Sequence, residues 1–365
     1  MKLFLPLPAF LLLAAASLAA AQDPAPPEAP PPAPRYDFRY TFSAIDDATY
    51  YSNLSVPVPK ILNQILIEPS FSIRYQQRWT ASASAVALTS THGDTHMQLH
   101  VKETYAGLSA GDFDFMVGRR IVRWGAGYAF TAAGVLDPPR IPTNPTDRLN
   151  VNEGRDTVKA DYVHGPHALT LAWSTAALAS AQANMHDTTA LRYNVLVHGF
   201  DTALIAGNDR GGDSFGALTF TRVLGQAWEV HGETAWREHE AILLGGKYTT
   251  SSGITFIGEF YTPPNIPYYR DMAISPLAGR QHYLFLDAAK NRLSERPGWK
   301  EWDLGAYMVA NLNDRSYTAI FDATRRFGNR FSTYLHLEIP TGNKTSEYGV
   351  TPYSTATSAG VRFQL

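Results

Sequence analysis

Cysteine is absent from all 365 residues. Its absence excludes a disulfide scaffold, thiolate metal sites, a Cys nucleophile and lipidation at an N-terminal cysteine. A chain this long without one covalent staple must be held by extensive backbone pairing or a large core. Charge is also scarce. Asp, Glu, Lys and Arg make up 18% of the chain, with 31 basic against 33 acidic groups. A nucleic-acid partner needs a basic excess to displace counterions from phosphate, so none is expected. Beyond residue 36 no apolar run approaches the ~18 residues of a membrane helix, and helical periodicity is hard to find. Gly-rich phosphate loops are missing, since Gly211-Gly212 reads as a turn. No cofactor is expected.

Metal ligation is equally poorly supplied. His92, His96 and His100 have the i, i+4, i+8 spacing that gathers an ion on a helix. On a strand rising about 3.3 Å per residue, His96 and His100 stand roughly 13 Å apart. They read as polar residues of one strand face, and no metal site is expected.

What the chain has begins at its N-terminus. Met1-Lys2, then Leu3-Phe4-Leu5 and the apolar run from Phe10 to Ala21, read as a secretory signal peptide with a small-residue end at Ala19-Ala20-Ala21. Pro6 and Pro8 count against a retained membrane anchor. Removing residues 1–21 leaves 344 residues (365 − 21) and loses only Lys2 among the charges, giving 30 basic against 33 acidic groups and a net of −3. Residues 24–34 hold seven of the 24 prolines, so segment 22–35 reads as an extended polyproline tether outside the fold.

From residue 36 to 365 the recurring pattern is period-two alternation, the mark of strands with one apolar face. In 63–75, Ile65, Ile67, Phe71, Ile73 and Tyr75 oppose Gln64, Glu68, Ser70, Ser72 and Arg74. In 95–107, Met97, Leu99, Val101 and Tyr105 oppose His96, Gln98, His100, Lys102 and Thr104. Segments 226–236 and 330–339 behave alike, and Val361, Phe363 and Leu365 end the chain the same way. Roughly eighteen such segments fit, from 36–44 to 355–365, one of them (280–288) inserted to keep the long loops on one side.

Short connections such as Gln76–Arg78, Gly165-Pro166 and His198-Gly199 contrast with long ones at 45–62, 122–154, 177–188, 263–279 and 340–354. Short turns at one end and long loops at the other describe an all-β, transmembrane antiparallel up-and-down barrel of about 16–18 strands, with the short turns in the periplasm. Closure removes the unpaired edges that lipid cannot hydrate. Prolines fall in the connections except Pro69, which calls for a late start or a bulge in the second strand. Trp79, Trp173, Trp228, Trp236, Trp299 and Trp302 lie mostly near strand ends, as an interfacial girdle requires.

The strand Asp112-Phe-Asp-Phe-Met-Val-Gly-Arg-Arg-Ile-Val-Arg-Trp-Gly125 opens a Pro-rich loop. That Gly-Arg-x-x-x-x-Trp-Gly pattern resembles the alginate-permeable porin and related outer-membrane porin-like families. Asn313-Asp314-Arg315-Ser316 and the later Phe327-Gly328-Asn329-Arg330 turn resemble their late hairpins, and the alternating C-terminus resembles the outer-membrane signal, though it ends in Leu365 rather than an aromatic. The resemblance implies an eighteen-strand passive channel and does not identify its solute.

The densest basic cluster is Arg119, Arg120 and Arg123. Arg120 shares the expected inward face with Asp112 and Asp114, while Arg119 and Arg123 lie at the loop end. Two readings stand side by side: a cationic lumenal ladder, or a salt network bracing the loop against the wall. Arg74, Lys102, Lys159, Arg192, Arg222, Arg326 and Arg362 also fall inward, with Glu68, Asp161, Glu229, Glu233, Asp322 and Glu338, so the lumen is of mixed charge. The 122–154 loop is too long for a plain connector. It is the constriction candidate: Trp124-Gly125-Ala126-Gly127-Tyr128 folds back inside, with Asp147, Arg148, Glu153 and Arg155 lining it. The competing place for Trp124 is the girdle.

These readings converge on an exported outer-membrane channel for passive diffusion of small or oligomeric polar solutes. Its partners are membrane lipids, the solute and the barrel-assembly machinery. Two alternatives stay open: a barrel hydrolase, for which no nucleophile motif is seen, and a plugged barrel serving assembly or attachment. Ala81, Ala83, Ala85 and Ala87 are a hint of the flat wall a trimer needs, and the oligomeric state is left open.

Overall fold

The computed structural model describes residues 36–138, 140, 142–143, 148–175, 187–209, 213–237, 240–263 and 281–365. Eighteen strands are found among them. In chain order the first six are β1 (Tyr36–Ser52), β2 (Ile61–Tyr75), β3 (Trp79–His92), β4 (Asp94–Ala110), β5 (Phe113–Arg120) and β6 (Arg155–His164). Then come β7 (His167–Thr175), β8 (Thr188–Val197), β9 (Phe200–Asp209), β10 (Ser214–Leu224), β11 (Trp228–Trp236) and β12 (Glu240–Thr249). The last six are β13 (Ile254–Thr262), β14 (Tyr283–Lys290), β15 (Trp302–Asn311), β16 (Ser316–Phe327), β17 (Phe331–Thr341) and β18 (Thr355–Gln364). Each strand pairs antiparallel with its neighbours in sequence, and β18 pairs with β1. The sheet is a closed antiparallel barrel, and the strand inserted near 280–288 is present as β14.

Alternation decides what each face carries. On β7, Leu169, Leu171 and Trp173 are 40–53% exposed on the outside, while Thr170, Ala172 and Ser174 between them are buried on the inside. The inversion relative to a soluble sandwich is what lipid demands: apolar outside, and polar or small side chains inside. Trp79, Trp173, Trp228, Trp236 and Trp299 are about half exposed, and Trp302 is half-buried beneath Arg325.

Four local expectations are corrected. β1 runs to Ser52 rather than ending near 44, so its loop shrinks to 53–60. The consecutive acids Asp46-Asp47 hide the alternation there, since Asp47 is buried on the inner face beside Ile45 and Thr49 while Asp46 faces outward. Pro69 neither delays β2 nor bulges it. β2 keeps one register against β3, but the ladder opens between Ile67 and Ser70, where Pro69 has no N–H to give. The bulge lies one strand further on, where Lys102 of β4 has no partner between Ser84 and Ala85 of β3. It flips the alternation downstream, so Tyr105 turns to the inner face, opposite the expectation that grouped it with Met97. Arg222 also faces outward: the inner face of β10 is Phe215, Ala217 and Thr219, and the Arg222 guanidinium lies 4.4 Å from the Phe200 ring.

The connections sort by end. At one end are 76–78, 111–112, 165–166, 198–199, 225–227, 250–253 and 328–330, plus one longer connection at 291–301. The other end carries 121–154 and 342–354. The expected long connections 177–188 and 263–279 fall almost wholly outside the described residues.

Candidate functional site

Strand β5 stops at Arg120 and β6 begins at Arg155, and the described residues of the 34-residue connection between them (121–154) form no helix or strand. Two residues before that end, Gly118 takes φ +122°, and a Cβ there would lie 2.3 Å from the Thr104 carbonyl oxygen. The loop passes inside the barrel. Backbone N–H groups without a ladder must find other acceptors, and here the inner wall supplies carboxylates. Ile121 N–H donates to Glu103 (3.0 Å). Gly127, Ala132 and Ala133 N–H donate to Glu233 at 2.7, 2.6 and 2.7 Å, with the Thr131 hydroxyl at 3.0 Å. Tyr128, Ala129 (2.9 Å) and Phe130 (3.2 Å) N–H donate to Glu259, which also meets His231 Nε2 at 3.0 Å. Both glutamates are 3% exposed or less. Charge-assisted hydrogen bonds of this kind are roughly twice as strong as neutral ones. The backbone can wrap so closely only where a side chain is missing: a Cβ on Gly127 would lie 2.4 Å from the Phe130 carbonyl oxygen.

Apolar packing completes this limb. Val122, Trp124, Ala133 and Leu136 cluster with Ala172, Ala190, Ile205 and Phe215 of β7–β10. Ala129 and Phe130 pack on Leu243, Tyr261, Phe285 and Tyr307 of β12–β15, the Phe130 ring stacked on Tyr261 at 4.9 Å. Trp124 is thus 5% exposed inside the barrel and is no part of the girdle. Within the loop, Asp137 accepts from Trp124 N–H (2.6 Å), and Arg140 joins Asp137 (3.3 Å) to the carbonyls of Gly125 and Tyr128. Burial pushes the Asp137 carboxyl above its usual 3.8, against the opposing pull of the Trp124 N–H and the Arg140 charge.

The returning limb is held differently. Tyr307 of β15 donates its hydroxyl to the Thr143 carbonyl (3.4 Å). Arg148 reaches Asp47 of β1 (3.4 Å) and Ser358 of β18 (3.3 Å), and Asp47 also accepts from Tyr334 (2.6 Å) and Thr49 (3.0 Å). Leu149 and Val151 pack on Ile45, Leu66, Val86 and Leu88 of β1–β3. Glu153 pairs with Arg119 (2.9 Å) and His100 (2.8 Å), and Gly154 N–H donates to the Lys102 carbonyl. Arg155 closes the circuit, donating to the Val135 carbonyl (3.1 Å) and Thr188 (3.1 Å). From β4 round to β18 and back, the loop touches every sector of the inner wall.

The sequence-selected residues are therefore brought into two groups. Arg119, Arg148, Glu153 and Arg155 are largely buried at the loop–wall junction, with Arg119 also 3.0 Å from Asp156. Lys102 is 8% exposed and pairs with Glu68 at 2.9 Å. Arg120 stacks 4.6 Å over the flipped Tyr105 ring. Exposed groups are Arg74 on β2, Asp114, which accepts from Ser109, and Arg123, which stands between the buried Val122 and Trp124. Asp112 is not on the strand face; it sits in the 111–112 turn, 3.0 Å from His164, because β5 begins one residue later. Asp147 lies outside the described residues. Glu229 does keep a water-facing role: it accepts from the Tyr128 hydroxyl (2.8 Å), to which Lys247 Nζ in turn donates (3.4 Å). Glu233, read as a lumenal charge, is instead covered by the loop.

Residues the sequence left unmarked are Glu103, Glu259, Asp47 and Asp137. The only trace of Glu259 was its inward phase on β13 between Ile257 and Tyr261.

Comparison with solved structures fits this geometry. Pseudomonas aeruginosa OccK5 (OpdH) superposes with a TM-score of 0.60 at 9% identity, over 90% of this chain and 98% of that one. Acinetobacter baumannii OccAB4 gives 0.59 at 7% identity, over 90% and 98%. A triple mutant of the Rh. blastica porin gives 0.50 at 12% identity, over 90% and 100%. The fold is that of the bacterial outer-membrane porins. The porin fold matches the outer-membrane barrel implied by the resemblance that Asp112–Gly125 carries. No family model and no curated protein matches the sequence.

Proposed function

We propose that this porin-fold barrel is a passive channel for small or oligomeric polar solutes, narrowed by the 121–154 loop. The observation that carries the reading is the loop's attachment: its contacts run along the inner wall, sector after sector, as expected of a loop that narrows a lumen without crossing its axis. Barrels of eighteen strands are wide enough for an aqueous lumen. Arg123, Tyr128, Lys247 and Glu229 at the loop's water-facing edge, with Arg74 below, set a mixed and therefore weak charge preference. Nothing is hydrolysed or pumped; width and field decide what passes. The signal segment 1–21 exports the chain, the assembly machinery inserts it with its short turns in the periplasm, and the 22–35 segment trails there.

Planar-bilayer recording of the refolded chain under a salt gradient tests this. Stable open steps with a small reversal potential are expected. A silent membrane with folded, inserted protein would sink the channel reading and favour the plugged barrel.

A further inference from the structure

The outer wall of β12–β16 carries a groove of about 760 Å³. Its floor is Gly246, Gly258, Ala288 and Ala306, and the exposed rings of Phe256 and Phe321 flank it. Register puts these together: Gly246 pairs with Gly258, Phe256 with Ala288, Ala288 with Ala306, and Ala306 with Phe321. All lie on the outward face, where lipid would be. A bare apolar hollow there would be ordinary, but this one ends in charge.

Toward the short-turn end, Lys290 follows Ala288 by two residues on the same face of β14. Arg325 of β16 follows Phe321 by four, beside Trp302. The Arg325 guanidinium is held 4.9 Å from the Phe327 ring and 5.6 Å from the Trp302 ring, and its Nε is buried without a hydrogen-bond partner. Lys290 has no ion-pair partner among the described residues. The adjoining 291–301 connection, the long one at this end, adds Arg292, Arg296 and Lys300 against Glu295 and Glu301. With Lys290 and Arg325 that makes five cations to two carboxylates. Cations at the membrane interface attract anionic headgroups, and two fixed donors can hold one phosphate.

We infer that this groove is a binding site for a phospholipid with a net-negative headgroup. One acyl chain lies over Gly258 and Ala306, and the phosphate sits between Lys290 and Arg325. The inference rests on the barrel lying in a bilayer, and the leaflet is the one at the short-turn end.

Native mass spectrometry of the refolded full chain, given equal phosphatidylglycerol and phosphatidylethanolamine, is the test. Wild type is expected to retain phosphatidylglycerol about tenfold over phosphatidylethanolamine, the scale two interfacial cations supply. Lys290→Gln with Arg325→Gln should erase the preference, and Ala306→Phe should lower retention of both lipids. Heat-modifiable gel migration checks that each variant is folded. Equal retention by wild type, or an unchanged preference in the double variant, overturns the site; so does displacement of lipid by a second copy of the chain. Conductance of the same samples separates the two readings: a silent barrel that keeps the preference would sink the channel and leave the lipid site standing.

Discussion

The two limbs of the lumenal loop are fastened by opposite chemistry. In residues 121–137 the wall provides the anions and the loop provides backbone N–H groups: Glu103, Glu233 and Glu259 each cap main-chain donors. In residues 148–155 side chains carry the contacts, as Arg148 meets Asp47, Glu153 meets Arg119 and His100, and Arg155 meets a carbonyl and Thr188. The first arrangement depends on the loop's shape and hardly on its side chains, glycines excepted. The second depends on a few cations. Losing a wall acid should therefore free a whole turn, whereas losing a loop cation should loosen one point.

The largest effect is expected at Glu259. Glu259→Ala deprives three loop N–H groups and His231 of their acceptor. At about 1–3 kcal/mol for each buried donor left unmade, part of it recovered by entering water, a net loss of about 3 kcal/mol in thermal unfolding is expected, with wider and noisier conductance steps. A melt and step size identical to wild type would contradict the capping role.

Arg148→Ala comes next. It leaves Asp47, 0% exposed, with Tyr334 and Thr49 as its remaining side-chain partners among the described residues. Breaking a buried pair costs about 3–5 kcal/mol when nothing else helps, so about 2 kcal/mol is expected here. Arg148→Ala with Asp47→Asn should recover part of it, and a double variant no better than the single would argue against the pair. Gly127→Ala should cost about 1–3 kcal/mol through overpacking, because the added carbon meets both the Phe130 carbonyl and Leu243.

A smaller, pH-dependent difference is expected at Asp137. Burial raises its carboxyl in the folded state, so the folded protein binds this proton more readily than the unfolded chain. The contribution is present below 3.8 and is lost as pH rises through the elevated folded value. Asp137→Asn cannot titrate, so the stability gap between wild type and variant should narrow or turn against wild type as pH climbs through that window. A gap flat with pH would contradict it. Smallest of all, Arg123→Ala should leave stability within about 0.5 kcal/mol while shifting the reversal potential toward cations; an unchanged potential would remove Arg123 from the solute path.

The same contrast explains what could be read in advance. Period-two alternation gave the barrel's strands, because a strand's two faces are written in its side chains, and β14 followed from the need to keep the long loops at one end. Arg119, Arg148, Glu153 and Arg155 were also visible, since charged side chains in a long loop attract notice. Glu233 and Glu259 were not distinguishable as anchors: an inward acid that caps a loop has the same phase as one that faces water, and its partners are backbone atoms with no signature. Tyr105 was misplaced because a bulge at Lys102 leaves no residue-type mark, and Asp47 because Asp46 beside it masks the alternation.

The central claim is that the loop rests on the wall and leaves a narrowed but open path. Absence of native cysteine permits a direct test: Phe130→Cys with Tyr261→Cys, joined by a short thiol crosslinker, with single-channel steps recorded before and after joining. Efficient joining with step size unchanged is the predicted result, because Phe130 already stacks on Tyr261. Failure to join, or steps that collapse or grow once the loop is locked, would contradict the account.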